Sequence, residues 1–167
     1  MLNVILTASL VAAALAMGLM AGVFALYSNA IMPGLGRTDD HTFVGAFQAI
    51  DRAIINPAFL STFVAALLFT GIAGAVQFLR GGPLVLPWVL AAFVLYFAVF
   101  WITIAINVPL NDGIKAAGDP RQIPNLAEVR KRFDEAKWIR WNHVRAFATI
   151  GAFACLMAAL VQHGRAL

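Results

Sequence analysis

Two short polar clusters at the ends of long apolar segments contain the side chains best suited to chemistry. Asn107-Val108-Pro109-Leu110-Asn111 follows the third apolar segment, and Trp141-Asn142-His143-Val144-Arg145 begins the fourth. If the chain crosses a membrane four times, both clusters lie on the same side of it. Ionisable groups at that depth are functional candidates by default. The sequence therefore predicts a polar site at one mouth of a helical membrane protein.

The spacing of polar residues in the fourth segment predicts the direction in which Arg145 points. Residues three and four apart share a helix face, and one stripe obeys that rule: Trp138, Trp141, Asn142, Arg145 and Thr149. An arginine one turn inside an apolar helix is costly to place against lipid and snorkels only a limited distance. We therefore expect Arg145 to point into the protein, where Asp51 or Asp112 is available as an ion-pair partner.

Amide and aromatic side chains accompany Arg145 in this region. Amides donate and accept hydrogen bonds, so they suit a carbonyl or a phenol, and three are available: Asn107, Asn111 and Asn142. Tyr27 ends the first apolar segment on the same side. For Trp141 a role in a pocket is favoured over a tether between helices, whereas Trp138 is expected in the interfacial aromatic belt.

Histidines offer a general base but no metal site. His143 is the best of them, although it lies about 100° around the helix from Asn142, so it could instead face another neighbour or the headgroups. His41 lies in a loop and His163 near the far terminus, which predicts neither a metal site nor paired haem ligands. Nucleotide-binding glycine fingerprints, a Ser elbow and a phosphate loop are absent from the sequence. We therefore predict no cofactor.

The composition indicates an integral membrane protein. Of the 167 residues, 62% are apolar and 12% are charged, whereas soluble chains contain about one quarter charged residues. Four apolar runs are long enough to cross a hydrocarbon core of about 30 Å: residues 4–27, 58–79, 84–106 and 141–161. Runs of this length without alternation select helices. The predicted fold is all-α, a single four-transmembrane-helix bundle over residues 1–167, and the first run is interpreted as a retained span.

A short amphipathic helix is predicted between the first two spans. Pro33-Gly34-Leu35-Gly36 should break the first helix, and Asp39 or Asp40 can cap a new one. Apolar residues then recur at helical spacing, namely Phe43, Phe47, Ile50 and Ile54, with Gln48, Asp51 and Arg52 to the side. This pattern is typical of a helix at a membrane interface or against the mouth of a bundle.

The loop before the fourth span contains signals for a turn and for a further helix. Asn111-Asp112-Gly113 predicts a turn. Asn125, with Glu128 three residues later, resembles a capping box, so a helix should begin at about Leu126. We expect that helix to continue without a break into the fourth span as a helical extension.

The distribution of charge predicts topology and partners. Lys and Arg concentrate in the loops after the first and third spans, which places the long loops in the cytoplasm and both termini outside, in a bacterial inner membrane. The basic run 130–132 has no stacking platform beside it, so nucleic acid is not expected. Cys155 is the single cysteine, which excludes an intramolecular disulfide. The expected partners are the lipid bilayer and a small hydrophobic substrate or lipid, and a homo-oligomer is left open.

The motifs, in their order along the chain, resemble those of the anthrone oxygenase-like group of small four-span membrane proteins. Many of its bacterial members are known only as a domain of unknown function. The resemblance rests on Met32-Pro33-Gly34-Leu35, on the 107–111 cluster, and on Trp138 with the 141–145 cluster. It implies a four-span fold and an activity of the fungal relatives, which oxidise polyketide anthrones to anthraquinones with molecular oxygen, without metal or flavin.

If that activity carries over, a base removes a proton from the activated methylene and the electron-rich phenolate reacts directly with oxygen. Under this hypothesis Arg145 stabilises the anion, and His143 or Asp51 is the base. The substrate-binding set would be Asn107, Asn111, Trp141, Asn142 and Tyr27. The alternative is a non-catalytic membrane module that binds a lipid, a small hydrophobic ligand or a partner subunit, in which the same cluster ties helices together or holds a headgroup.

Overall fold

A computed structural model describes residues 1–166 and confirms the all-helical fold. Within these residues there is no β-strand, and four helical stretches are long and apolar enough to cross a membrane. They are Leu2–Leu35, Pro57–Arg80, Leu86–Ala116 and Leu126–Arg165. The chain is therefore an integral membrane protein.

Two of these stretches each contain a short π-helical segment. The first consists of α1 (Leu2–Leu26), a π-helical segment (Tyr27–Ile31) and α2 (Met32–Leu35). The third consists of α5 (Leu86–Ile102), a second π-helical segment (Thr103–Asn107) and α6 (Val108–Ala116). The other helices are α3 (Asp40–Ile54), α4 (Pro57–Arg80), α7 (Leu126–Phe133) and α8 (Glu135–Arg165).

The four long helices pack around a common apolar core. Helix α1 packs against α4 and α8, and α5 packs against α8 and less extensively against α4. Gly18 permits close approach of α1 and α8, since a Cβ there would lie 3.2 Å from the ring of Phe153. A short connection, residues 81–85, joins α4 to α5, with positive φ at Gly81 and Gly82. Small residues thus bring the helices close enough to exclude lipid from the core.

Helix α3 confirms the predicted amphipathic helix and covers one end of the four long helices. Its apolar face joins a second core with α2, α6, α7 and the start of α8, formed by Met32, Phe43, Val44, Phe47, Ile114, Phe133 and Trp138. Asp39 caps the helix by accepting hydrogen bonds from the backbone N–H and the hydroxyl of Thr42, at 2.9 and 2.8 Å. These bonds hold the pKa of the Asp39 carboxyl below its ordinary value.

Two of the polar residues beside the apolar face of α3, Gln48 and Asp51, are buried, whereas Arg52 is exposed. Gln48 is 1% exposed, and its Nε2 donates to the carbonyl oxygens of Ile114 and Gly118 at 2.7 and 3.1 Å. Carbonyls in the last turn of a helix lack partners within that helix, so the end of α6 needs such donors. The two hydrogen bonds from Gln48 therefore hold α3 against the end of α6.

The predicted break of the first helix at Pro33-Gly34-Leu35-Gly36 is confirmed, since this helix ends at Leu35 with Gly36 as its C-cap. The predicted turn at residues 111–113 is wrong. The first helix continues to Leu35, and α6 continues through the Asn-Asp-Gly sequence. Proline lacks an N–H, and its ring clashes with the carbonyl four residues earlier. A π-helical segment precedes Pro33 and another precedes Pro109, so that Met32 and Val108 donate to carbonyls five residues back. The wider turns give the proline rings room, and the helices continue.

The predicted uninterrupted helix before the fourth span is also wrong. Asn125 does cap α7, by accepting from the Glu128 N–H at 3.0 Å, but α7 ends at Phe133. Asp134 has φ 53° and ψ 64°, in the left-handed region. Its carboxylate accepts from the Lys137 N–H at 3.1 Å and caps α8. Asp tolerates left-handed φ and is a good N-cap, so one residue ends one helix and begins the next.

We expect Asp134→Ala to lower the free energy of unfolding by about 1–2 kcal/mol, because alanine has no capping oxygen and disfavours positive φ. Asp134→Asn keeps both properties and should cost less than about 0.5 kcal/mol. Unfolding in mixed micelles, followed by circular dichroism, measures both variants. Equal losses in the two variants would contradict the role assigned to Asp134.

Candidate functional site

A cavity of about 340 Å³ lies beneath α3, between the ends of the long helices. Its volume falls in the range of about 300–1,000 Å³ that is typical of small-molecule sites. Most of its wall is aliphatic or aromatic. The polar residues of the wall are Tyr27, Asp51, Thr103, Asn107, Asn111, Trp138 and Arg145. An apolar cavity with a few convergent polar groups is the usual form of a ligand site.

Arg145 lies in the wall of this cavity and is only 6% exposed. Its Nη2 donates to Asn142 Oδ1 at 2.8 Å, and its Nη1 donates to Thr103 Oγ1 at 3.2 Å. The guanidinium carbon lies 4.6 Å from the centroid of the Phe24 ring. Arg145 therefore points inward, as predicted, and is held by neutral oxygens and an aromatic face.

The predicted ion pair of Arg145 with Asp51 or Asp112 is wrong. Within residues 1–166 no carboxylate lies at ion-pair distance from Arg145, and its buried Nε has no hydrogen-bond partner. A buried charge without a counter-charge is costly. Arg145 therefore lacks a counter-charge, and its Nε lacks a hydrogen-bond acceptor, within the described residues.

Asp51 is paired locally with α6. Its Oδ2 lies 2.8 Å from Lys115 Nζ, and its Oδ1 accepts from Asn111 Nδ2 at 2.6 Å. Lys115 also contacts Asp112 Oδ1 at 3.0 Å. Because α6 continues as a helix, Asn111 and Lys115 share a face that meets α3. This geometry keeps Asp51 in the cavity wall as an oriented carboxylate.

Trp138 is 3% exposed and lines the cavity, so its predicted place in the aromatic belt is wrong. Its Nε1 donates to Asn111 Oδ1 at 2.7 Å, and its ring centroid lies 5.7 Å from that of Tyr27. The left-handed residue Asp134 starts α8 in a new direction, and Trp138 enters the second core beside Phe133. Tyr27 and Trp138 together form an aromatic wall.

Asn107 supplies the free acceptor of the site. Its side chain is 1% exposed, and its Nδ2 lies 3.5 Å from the carbonyl oxygen of Trp138. Its Oδ1 is buried and has no hydrogen-bond partner within the described chain. Buried amide oxygens are normally satisfied. A ligand that donates a hydrogen bond, such as a phenol, would satisfy it.

Asn142 positions Arg145 without lining the cavity. Its Nδ2 donates to the carbonyl oxygen of Phe24 and to Ser28 Oγ, at 3.0 and 2.8 Å, while its Oδ1 accepts from Arg145. It thus ties α8 to the first long helix. Asn142 was predicted to contact a substrate directly. It does not line the cavity, and it is linked to the cavity wall only through Arg145.

The structure does not bring His143 or Trp141 to the other predicted site residues. His143 lines a separate, open groove on the outer side of α8, beside Arg140, Val144 and Phe147. Trp141 is partly buried but does not line the cavity. Successive helical residues are about 100° apart, so the face that presents Trp138, Asn142 and Arg145 turns His143 outward.

Thr103, Trp138 and Lys115 are site residues that the sequence reasoning did not assign. Thr103 shares a helix face with Asn107, and Trp138 lies one turn before Asn142, so spacing offered a signal for both. For Lys115 the only signal in the sequence was its helical spacing from Asn111 and Asp112. The predicted turn at residues 111–113 excluded that helix, so Lys115 was missed. Among residues 1–166, no group of three or more His, Cys, Asp or Glu side chains is placed to bind a metal ion.

Comparison with known families matches the chain to one model. The model for the anthrone oxygenase family covers residues 43–155, more than half of the chain. That stretch includes all but the first three residues of α3, the second π-helical segment and every polar cavity residue except Tyr27. No curated protein matches the chain, and no solved structure does.

Replacing Asn142 with alanine should lower the free energy of unfolding by about 2–3 kcal/mol, because three buried groups lose a partner, one of them the guanidinium. Ser28→Ala removes a single bond to the same side chain and should cost about 0.6 kcal/mol. Detergent-induced unfolding of the purified variants in bicelles measures both losses. A cost for Asn142→Ala no larger than that for Ser28→Ala would contradict the positioning role.

Proposed function

This chain belongs to the anthrone oxygenase family, and from that premise we propose that it is a membrane-embedded oxygenase of a lipophilic phenolic, anthrone-like or quinol-like substrate. The observation that carries the proposal is the Arg145 guanidinium, which lines an apolar cavity with a free Nε and no carboxylate partner. Such a cation is suited to an oxyanion that forms during a reaction. The cavity in turn suits a flat, apolar molecule with oxygens on one edge.

Substrate binding in this proposal uses the aromatic wall and two of the three buried side-chain atoms that have no hydrogen-bond partner, Arg145 Nε and Asn107 Oδ1. The third, Asp51 Oδ2, is ion-paired with Lys115. Arg145 Nε donates to the carbonyl oxygen of the substrate, and Asn107 Oδ1 accepts from a neighbouring phenolic hydroxyl. Tyr27 and Trp138 contact the ring faces. Arg145 Nε and Asn107 Oδ1 would thereby each acquire a hydrogen-bond partner from the ligand.

Asp51 is the base in the proposed reaction. It lies in the cavity wall, and its carboxylate is oriented by Asn111 and Lys115. Removal of a proton from the activated methylene breaks a C–H bond and leaves an aromatic oxyanion. Because the cavity wall is mostly apolar and Arg145 is already in place, the guanidinium stabilises that anion without reorganisation. His143, the other predicted base, lies outside the cavity.

The remaining steps balance with molecular oxygen as the only co-reactant. The anion transfers electrons to oxygen, a C–O bond forms at the former methylene carbon, and the resulting peroxide takes a proton from Asp51. Asp51 then takes the second methylene proton, the O–O bond breaks, and the departing hydroxide accepts that proton. One oxygen atom becomes the new carbonyl and the other leaves as water, so four electrons pass from carbon to oxygen. In this proposal no resident metal or flavin takes part.

The proposal also includes a location. The Lys and Arg residues of the long loops favour a cytoplasmic position for α3 and the cavity mouth, in a bacterial inner membrane. The substrate would then be drawn from the cytoplasmic leaflet. Oxygen partitions into lipid, so both reactants would be concentrated where the cavity lies.

We expect Arg145→Ala to reduce turnover of a dihydroxyanthrone about 100-fold or more, because the developing anion loses its stabilising cation. Asp51→Asn should reduce turnover about 100-fold through loss of the base. Asp112→Asn is the matched control, since Asp112 also contacts Lys115 but lies outside the cavity, and it should stay within about twofold. Anthraquinone formation in proteoliposomes measures all three.

Arg145→Lys separates charge from geometry in the same assay. It keeps a cation but loses Nε and the planar fork, so turnover should fall about tenfold rather than 100-fold. Thermal unfolding of each variant controls for loss of the fold. Turnover that stays unchanged in folded Arg145→Ala would remove Arg145 from the mechanism. Tight binding of the anthrone with no turnover in the wild type would favour the non-catalytic binding module instead.

A further inference from the structure

The wall of the cavity is incomplete on one side. Five of its lining residues are between 40% and 51% exposed, and all five are aliphatic: Ile55, Leu60, Val64, Ile104 and Val108. They come from the end of α3, the first turns of α4, the second π-helical segment and the start of α6. We call this set the lateral rim. Side chains that both line a cavity and face outward mark an opening of that cavity.

The opening exists because α4 and the second π-helical segment do not pack extensively against each other. That segment packs instead against α5, α6 and α8. The lateral rim therefore borders a gap between α4 and the second π-helical segment, at the ends of these helices nearest α3. Val64 lies about 10 Å along α4 from its first residue at a rise of 1.5 Å per residue. Val64 thus lies within the apolar part of α4, one turn before the exposed Leu68.

The end of the cavity that points away from the core is closed. Rings of Phe47 and Phe133 pack there with centroids 4.5 Å apart, and the Trp138 ring stands edge-on to Phe47 at 5.8 Å. The Asp51–Lys115 ion pair lies in the same layer. A ligand moving along the helix axes would have to separate these contacts, whereas the lateral rim is already open.

We propose that the lateral rim is a portal through which the substrate passes directly between the bilayer and the cavity. This inference rests on the proposed function and narrows its substrate class to planar aromatic molecules dissolved in the hydrocarbon region. No residue of the rim is charged, and the polar atoms lie deeper, on Arg145 and Asn107. A molecule with its oxygens on one edge therefore enters oxygen edge first. A phosphate headgroup would meet only aliphatic side chains at this rim.

The test narrows the portal without touching the polar site. The double variant Val64→Phe/Ile104→Phe adds bulk on both sides of the opening. Its matched control is Leu68→Phe/Val94→Phe, which changes exposed residues of α4 and α5 that do not line the cavity. The probe is a dihydroxyanthraquinone, added to proteoliposomes in a stopped-flow instrument. Quenching of tryptophan fluorescence by energy transfer reports its arrival near Trp138, with empty liposomes as the blank.

We expect the portal variant to lower the association and dissociation rates at least tenfold while the dissociation constant stays within twofold. The control variant should leave both rates within twofold of the wild type. Val64→Ala/Ile104→Ala widens the opening and should leave the rates unchanged or raise them. Unchanged rates in the portal variant would overturn the portal. An equal slowing in the control variant would overturn it as well.

The rates also separate this inference from the proposed oxygenase activity, because anthraquinone binding requires no turnover. Binding by the wild type that slows in the portal variant, with no anthrone oxidation, supports the portal and refutes the oxygenase. Turnover by the wild type with unaltered rates in the portal variant supports the oxygenase and refutes the portal. Failure of the wild type to bind the anthraquinone overturns the portal for this class of molecule.

Discussion

The Arg145 guanidinium has to be kept hydrogen-bonded inside four apolar helices without a carboxylate beside it. Removing such an ion from water costs several kcal/mol, so its neighbours are not free to vary. Asn142 and Thr103 each hold one of its nitrogens, and Asn142 is fixed in turn by Phe24 and Ser28 of the first long helix. These bonds set the register of the first, third and fourth long helices at one end of the molecule. These bonds leave Arg145 Nε without a hydrogen-bond partner within the described chain.

Two π-helical segments, each followed by a proline, form part of the cavity wall. Each π-helical segment precedes a proline, Pro33 or Pro109, and each supplies cavity residues, Tyr27 from one and Thr103 with Asn107 from the other. A single widened turn redirects the side chains around it, which is why π-helical segments are frequent at functional sites. Helix α6 continues beyond the second segment and brings Lys115 against Asp51. Backbone irregularity in two helices thus arranges the polar groups that regular helices would have separated.

The sequence predicts the fold well and the site only in part, for reasons that particular residues make clear. Apolar length alone identifies the spans, and local rules identify the caps Asp39 and Asn125, because both depend on neighbours in sequence. The α-helical period correctly turns Arg145 inward. The helical period does not show which residue pairs with Arg145. Asp51 pairs instead with Lys115 of α6, and α6 was missed because its Asn-Asp-Gly sequence predicts a turn. The burial of Trp138 depends on a change of direction at Asp134, and one left-handed residue leaves no periodic signal in the sequence. Tertiary packing determines both the ion pair of Asp51 and the burial of Trp138.

We propose that this cavity promotes the reaction of an anthrone with oxygen. The most direct test supplies isotopically labelled molecular oxygen to wild-type protein in liposomes that contain a dihydroxyanthrone. We expect the wild-type protein to oxidise the anthrone far faster than it is oxidised in empty liposomes. One oxygen molecule should be consumed per anthraquinone, and the new carbonyl group of the anthraquinone should contain one labelled atom. Oxidation no faster than in empty liposomes, or a new carbonyl oxygen derived from water, would contradict the proposal.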